Sequence, residues 1–106
     1  MKFNYVIYQT RVESAFAFMM WDWAKEHNWS FNSYRSVWNG IEEAENSLEL
    51  LENLFEEFNL YHPEGYRAHS MSVSDVVRIN DGNEIKYYYC DSIGWKDITK
   101  EVKGVK

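Results

Sequence analysis

The spacing of apolar residues predicts three elements in the first part of the chain. Residues 3–9 alternate and carry apolar groups on both sides, which predicts an inner strand. From about Glu13 to His27 the apolar spacing becomes helical, and Trp21 falls outside the main stripe, so we expect its ring to be partly exposed. A second strand is predicted at Tyr34–Trp38, with Asn39-Gly40 as the turn that ends it.

A second helix is predicted to begin near Ser47. Asn46 followed three residues later by Glu49 resembles a capping box, in which side chains bind the free N–H groups at a helix start. The predicted core-facing stripe of this helix consists of Leu48, Leu51, Leu54, Phe55 and Phe58.

Residues 69–98 contain two β-forming runs on either side of Asp81-Gly82-Asn83, which predicts a hairpin. A two-residue loop would place Ile79 opposite Glu84, whereas a three-residue loop places it opposite Ile85 and keeps one face apolar. We therefore expect the longer loop and a core-facing set of Val77, Ile79, Ile85 and Tyr87.

Together these elements predict one α+β domain over residues 1–106. The expected order is β-α-β-α-β-β, with a small mixed sheet of about four strands, two helices packed against it and a C-terminal β-hairpin. The length suits a single core, and the chain contains no internal repeat or long linker. The segment from Val102 onward is expected to be a frayed tail.

Aromatic residues make up 18% of the chain, which is more than so small a core requires. Some rings are therefore expected on the surface, where Trp and Tyr often anchor protein interfaces. Trp21 and Trp95 are the tryptophans that we select as candidate contacts.

The charge pattern is acidic, with a formal net charge of −6. This argues against direct nucleic-acid binding, which needs clustered Lys and Arg. Between residues 36 and 66 there are eight Glu and neither Lys nor Arg. An acidic helix face of this kind can imitate phosphates to a DNA- or RNA-binding enzyme, although a plain solvated face has the same composition. The candidate carboxylates are Glu42, Glu45, Glu49, Glu52 and Glu56.

No motif for a metal, a cofactor or a reaction is found in the sequence. The three His and the single Cys90 lack zinc-site spacing, and the glycines form no phosphate-binding loop. His69, Ser70, Ser74 and Asp75 are the residue types of a serine hydrolase, but the Gly-x-Ser-x-Gly elbow is absent and capping roles are favoured. We expect a non-enzymatic, cytoplasmic protein without cofactors, since neither a signal peptide nor a membrane span is found.

The sequence His-Ser-Met-Ser-Val-Ser-Asp-Val-Val at 69–77 and Tyr-Tyr-Cys-Asp-Ser-Ile-Gly-Trp at 88–95 resembles the signature of the YodL-like domain family. An upstream match, Phe-Glu-Glu-Phe-Asn at 55–59 and His-Pro-Glu-Gly-Tyr at 62–66, extends the resemblance over nearly the whole chain. Cys90 and Trp95 replace Val and Phe, which are conservative changes for a packed hairpin.

The resemblance implies a small domain of phages and mobile genetic elements of Firmicutes, without established catalytic residues. Such domains are thought to counter host defences. We therefore expect a protein-binding inhibitor of anti-CRISPR or antirestriction type that uses the acidic face and exposed aromatics inside the host bacterial cell. The alternative is a structural or regulatory module that binds a protein through the hairpin edge, and a hydrolase built on His69 and a serine is a third class.

Overall fold

The computed structural model describes residues 1–104 and has the predicted α+β architecture. Its elements in chain order are β1 (Lys2–Thr10), α1 (Trp21–Ala24), a 3-10 turn (Phe31–Ser33), β2 (Tyr34–Glu43), α2 (Ser47–Leu60), β3 (Val76–Asn80), β4 (Ile85–Cys90), β5 (Trp95–Asp97) and α3 (Thr99–Lys103).

The strands form one sheet in the order β2-β1-β3-β4-β5, and every neighbouring pair is antiparallel. The sheet was predicted to be mixed and to have about four strands, whereas it is antiparallel throughout and has five. The fifth strand, β5, was not predicted because it is only three residues long and has no clear alternation. The predicted tail is likewise helical as far as Lys103, since Val102 packs against the core. Val105 and Lys106 lie outside the described residues.

Two apolar clusters fill the interior, one on each face of the sheet. The first lies between the sheet and α2 and is built largely from Phe3, Tyr5, Ile7, Val77 and Ile79 of the strands and Leu50, Leu51, Leu54 and Phe58 of the helix. The second lies under the segment 11–33 and contains Phe16, Trp21, Ala24, Val76, Tyr89 and Ile98. The middle of the sheet is therefore covered on both sides.

The predicted hairpin is present, but its register differs by one residue from the prediction. Ile79 lies opposite Lys86 and Val77 opposite Tyr88, so the loop has four residues, Asp81–Glu84. The Asp81 carboxylate fixes this loop because its Oδ1 accepts the N–H groups of Asn83 and Glu84. The prediction assumed one wet face. In the structure Tyr87 packs on the second cluster, so both faces carry apolar residues.

The predicted helix from Glu13 to His27 is reduced to the single turn α1. Phe18 has a left-handed backbone with φ of 66°, and its N–H donates to Ser74 Oγ at 2.9 Å. Met20 is extended, so the chain leaves the helical conformation before α1 begins. Contacts with the β3 entrance thus replace the helical hydrogen bonds that the apolar spacing alone favoured.

Gly40 was predicted to form a turn with Asn39. In the structure it lies within β2, beneath the ring of Tyr5. A Cβ at this position would lie 2.7 Å from Tyr5 Oη and 3.0 Å from two ring carbons. Because Tyr5 is buried, its ring has little room to move aside. The glycine therefore permits close packing of a side chain and does not end the strand.

We expect Gly40→Ala to lower the free energy of unfolding by about 1–3 kcal/mol, the usual cost of overpacking a core. Asn39→Ala, on the exposed neighbouring residue, is the matched control, and urea denaturation measures both. The Tyr5→Phe background should recover part of the loss, because it removes the nearest atom. Equal stability of the two alanine variants would contradict the packing role of Gly40.

Candidate protein-binding surface and the buried network beside it

The five predicted carboxylates come from three consecutive segments of the chain. Glu42 lies at the end of β2, Glu45 in the connection to α2, and Glu49, Glu52 and Glu56 on the outer side of α2. Glu49 also stabilises the helix start, because its N–H donates to Asn46 Oδ1 and its Oε1 accepts the Glu45 N–H at 3.0 Å. The capping prediction and the helix start at Ser47 are confirmed. We call these five carboxylates the acidic face.

One end of the acidic face is a cleft in which carboxylates crowd together. Glu42, Glu56 and Glu57 line it with Asn53, Tyr61 and Pro63. Partial burial, followed by the charge of Glu57, raises the pKa of Glu42. No Lys or Arg lines this cleft among the described residues. The negative charge of the cleft is therefore not neutralised by its described lining.

Two apolar side chains lie on the outer side of α2 beside the acidic face. Leu48 is 61% exposed and Phe55 is 41% exposed, so their assignment to the core-facing stripe was wrong. Leu50 takes part in the core instead. The sequence did contain a signal for this exposure. Leu48 and Phe55 lie on one line along the helix with the charged Glu52, because the three have i, i+4, i+7 spacing. The outer face of α2 is thus both acidic and apolar.

The two tryptophans selected from the sequence have different environments. Trp21 is only 3% exposed, since it packs against Trp29 and Tyr89 in the second cluster, so the expectation that its ring is partly exposed was wrong. Trp95 is half-buried against the first cluster, and its Nε1 donates to Glu52 Oε2 at 3.1 Å. Of the two, only Trp95 borders the acidic face.

A buried polar network lies at the entrance of β3. Asp75 is 1% exposed, and its Oδ2 accepts hydrogen bonds from Gln9 Nε2 at 3.0 Å and from the Ser72 N–H at 2.9 Å. Burial outweighs these two hydrogen bonds and raises the pKa of Asp75 to about 7. Gln9 Nε2 also donates to the His69 carbonyl oxygen, which the Tyr66 hydroxyl binds at 2.6 Å. Gln9 was missed in the sequence because its partners lie 57–66 residues away.

Among the described residues, His69 makes no hydrogen bond to a serine hydroxyl. His69 Nδ1 lies 2.7 Å from the Ser70 carbonyl oxygen, whereas the Ser70 hydroxyl faces His62 Nε2 at 3.3 Å. Ser74 Oγ accepts the Phe18 N–H, and Asp75 binds Gln9 and Ser72. The contact of Ser74 with a backbone N–H agrees with the predicted role, whereas the Ser70 hydroxyl contacts a histidine ring.

Within residues 1–104 there is no group of three or more His, Cys, Asp or Glu that could hold a metal ion. Nor does this part of the chain contain a helix that is long and apolar enough to cross a membrane.

A family model described as YodL-like domain matches residues 4–100. The chain belongs to the YodL-like domain family. No curated protein and no solved structure matches it.

In this YodL-like domain the signature residues connect the segment 11–33 and the start of β2 to the β3–β4 hairpin. The Ser74 carbonyl oxygen accepts the Tyr34 hydroxyl at 2.6 Å, and Asp91 Oδ1 accepts the Trp21 N–H at 3.1 Å. Cys90 is buried, and its N–H donates to the Asp75 carbonyl oxygen. The signature therefore holds the segment 11–33 against the β3–β4 hairpin.

Asp75 is expected to make the stability of the YodL-like domain depend on pH. Its native pKa of about 7 lies above the ordinary value of 3.8, so between these pH values the native state binds more protons than the unfolded state. The contribution to stability is complete below the ordinary value and is lost as pH rises to about 7. Its slope is at most about 1.4 kcal/mol per pH unit.

Asp75→Asn removes this titration while keeping the shape of the side chain. Chemical denaturation at a series of pH values should give a flatter dependence for the variant than for the unmodified protein. All other groups are the same in both proteins, so their contributions cancel in the comparison. Parallel curves would contradict the role of Asp75.

Proposed function

We propose that this YodL-like domain is a non-enzymatic, protein-binding factor of a phage or mobile element that inhibits a host defence enzyme of the CRISPR or restriction type. The observation that supports this most directly is the acidic face with Leu48 and Phe55 beside it. Defence enzymes of this kind bind DNA or RNA with clustered Lys and Arg, and the carboxylates would occupy that basic groove. The proposal places the domain in the cytoplasm of the host cell, where these enzymes act.

The acidic face has a cost in stability that favours a functional explanation. Glu49 and Glu52 are three residues apart on α2, and Glu52 and Glu56 are four apart, so each pair brings like charges together. Such pairs destabilise a helix by about 0.2–0.5 kcal/mol each. No basic residue between positions 36 and 66 offsets them. Charges of mixed sign would avoid this cost, so the arrangement favours contact with a basic partner.

Leu48 and Phe55 supply the apolar contacts that charge alone does not provide. Long-range attraction mainly accelerates encounter, whereas desolvated apolar and aromatic side chains stabilise the bound state. Phe55 lies one turn from Glu52, whose carboxylate also holds Trp95, so ring and charge share one surface. We therefore assign Leu48 and Phe55 as the apolar contacts of the interface.

A structural or regulatory module without counter-defence activity remains the second candidate. The hairpin edge first considered for it is already occupied, because β3 pairs with β1 and β4 pairs with β5 over Tyr88–Cys90. At Tyr87 the edge is closed by bonds with Ile98 and Thr99. The exposed Leu48 and Phe55 favour this candidate only if binding proves insensitive to salt, because apolar contacts are not screened as charges are.

Reversal of Glu42, Glu45, Glu49, Glu52 and Glu56 to Lys should abolish protection in a phage plating assay. The domain is expressed in a Firmicutes host with an active restriction or CRISPR system, and plating efficiency of a sensitive phage is measured. The matched control reverses five exposed carboxylates elsewhere to Lys, giving the same net charge: Glu13, Glu26, Glu64, Glu84 and Glu101. Loss in the control as well, or protection by both sets, would contradict the role of the acidic face.

Phe55→Ser should weaken binding to the purified defence enzyme about tenfold or more, because an interface anchor contributes at least about 1.4 kcal/mol. The same substitution should change the free energy of unfolding less than truncation of a buried ring would, since Phe55 is partly exposed. Val12→Ser, at a 66% exposed apolar residue of the segment 11–33 that covers the other face of the sheet, is the control. Calorimetric titration at low and high salt measures both. Equal affinities of the two variants would place the interface elsewhere.

A further inference from the structure

The Glu52 carboxylate is held by a donor from a distant part of the chain. Trp95 Nε1, which can only donate, lies 3.1 Å from Glu52 Oε2 and joins β5 to α2 across 43 residues. The Trp95 ring is half-buried against the first cluster, whereas the Glu52 side chain is exposed. An exposed glutamate without such a contact samples many rotamers. The indole therefore restricts the orientation in which Glu52 presents its charge.

The charge of Glu52 is oriented but not cancelled by this contact. The indole donor is neutral, and the ion pairs recorded within residues 1–104 are Lys25 with Asp22 and Lys86 with Glu84. The hydrogen bond from Trp95 uses one of about four acceptor sites on the carboxylate. The others can accept hydrogen bonds from a cationic group of a partner protein.

The neighbours of Glu52 on α2 favour one kind of cation. Phe55 follows it by three residues and Leu48 precedes it by four, so both side chains lie next to it on the helix surface. A guanidinium group is planar and weakly hydrated, and it can pair with a carboxylate and stack on an aromatic face. The ammonium group of lysine is a compact and strongly hydrated charge. A carboxylate held beside an exposed ring thus suits arginine better than lysine.

We propose that Trp95 positions Glu52 so that Glu52 and Phe55 together bind an arginine side chain of the partner protein. Leu48 packs against the apolar stem of that arginine. Trp95 is a positioning residue, because it acts through the Glu52 carboxylate. The inference rests on the proposed function and deepens it by naming the side chain that the partner presents.

The other carboxylates of the acidic face have different surroundings. Glu49 Oε1 accepts the Glu45 N–H and so serves the start of α2. Glu42 and Glu56 lie in the cleft with Glu57, where carboxylates crowd together. These groups attract any cation, whereas the combination of an orienting indole and a neighbouring ring is found at Glu52.

Binding of two peptides tests the preference for arginine. Oligo-arginine and oligo-lysine of equal length are titrated into the full chain, and affinity is measured by fluorescence anisotropy. The arginine peptide should bind about two- to fivefold more tightly, which is the usual effect of a cation on an exposed ring. Phe55→Leu keeps an apolar side chain and should remove most of this preference. Equal affinity of the unmodified chain for both peptides would overturn the arginine assignment.

Trp95→Phe tests the positioning role, because it keeps a ring and removes the donor. Its affinity for oligo-arginine should fall about two- to tenfold, since Glu52 must then be immobilised on binding. In a Glu52→Ala background the same substitution should have no effect. Trp29→Phe is the matched control: it removes an indole donor to Tyr34 Oη in the second cluster. Equal affinities of the Trp95 and Trp29 variants, or an effect of Trp95→Phe that persists without Glu52, would contradict the positioning role.

Nuclear magnetic resonance tests the contact without a partner. The Trp95 indole N–H resonance should shift in Glu52→Ala, while those of Trp21 and Trp29 stay in place. An unshifted Trp95 resonance would overturn the proposal. The plating assay separates the two proposals. If the acidic face proves dispensable for phage protection while the arginine preference holds, only the counter-defence function fails. If protection needs the acidic face but the peptides bind equally, only the arginine site fails.

Discussion

Strand β3 is buried on both faces, and this constraint determines most of the architecture. Val77 and Ile79 pack against α2, while Val76, their immediate neighbour, packs in the second cluster with Tyr89 and Ile98. One layer of helix can cover only one face of a sheet, so a second layer must come from elsewhere in the chain. The segment 11–33 supplies it, although most of that segment is not regular helix. Burial of its rings outweighs the loss of helical hydrogen bonds.

The polar residues at the β3 entrance hold this second layer in place. Ser74 has a left-handed backbone with φ of 88°, and its side chain and carbonyl oxygen bind Phe18 and Tyr34 respectively. Asp75 holds the preceding loop through Ser72 and reaches β1 through Gln9. The signature of the YodL-like domain is therefore explained as structure. It couples the sheet to the layer above it.

The surface feature that stands apart from the signature is the outer side of α2. It combines like charge with the exposed Leu48 and Phe55, which suits a basic protein groove. The buried Trp21 and the half-buried Trp95 show that aromatic abundance by itself did not identify this surface.

The sequence by itself determined the elements whose signals are local. The start of α2 was predicted because Asn46 and Glu49 cap it within one turn, and β1 and the hairpin were predicted from alternation over a few residues. Family membership followed from the residues near 69–95, which are also contiguous. The acidic face could be read from the composition of residues 36–66, since charge of one sign over such a length must reach the surface.

Tertiary structure decided whatever depends on which side chains share a face. The hairpin register moved by one residue because both faces are covered: Tyr88 packs on the first cluster and Tyr87 on the second, and the sequence alone gives no sign of that second layer. Gly40 remained in a strand because Tyr5 lies above it, 35 residues earlier in the chain. Contacts between distant segments likewise decide that Trp21 is buried and Leu48 exposed. Side-chain environments are set by contacts between distant segments, whereas patterns along the chain report only on neighbours.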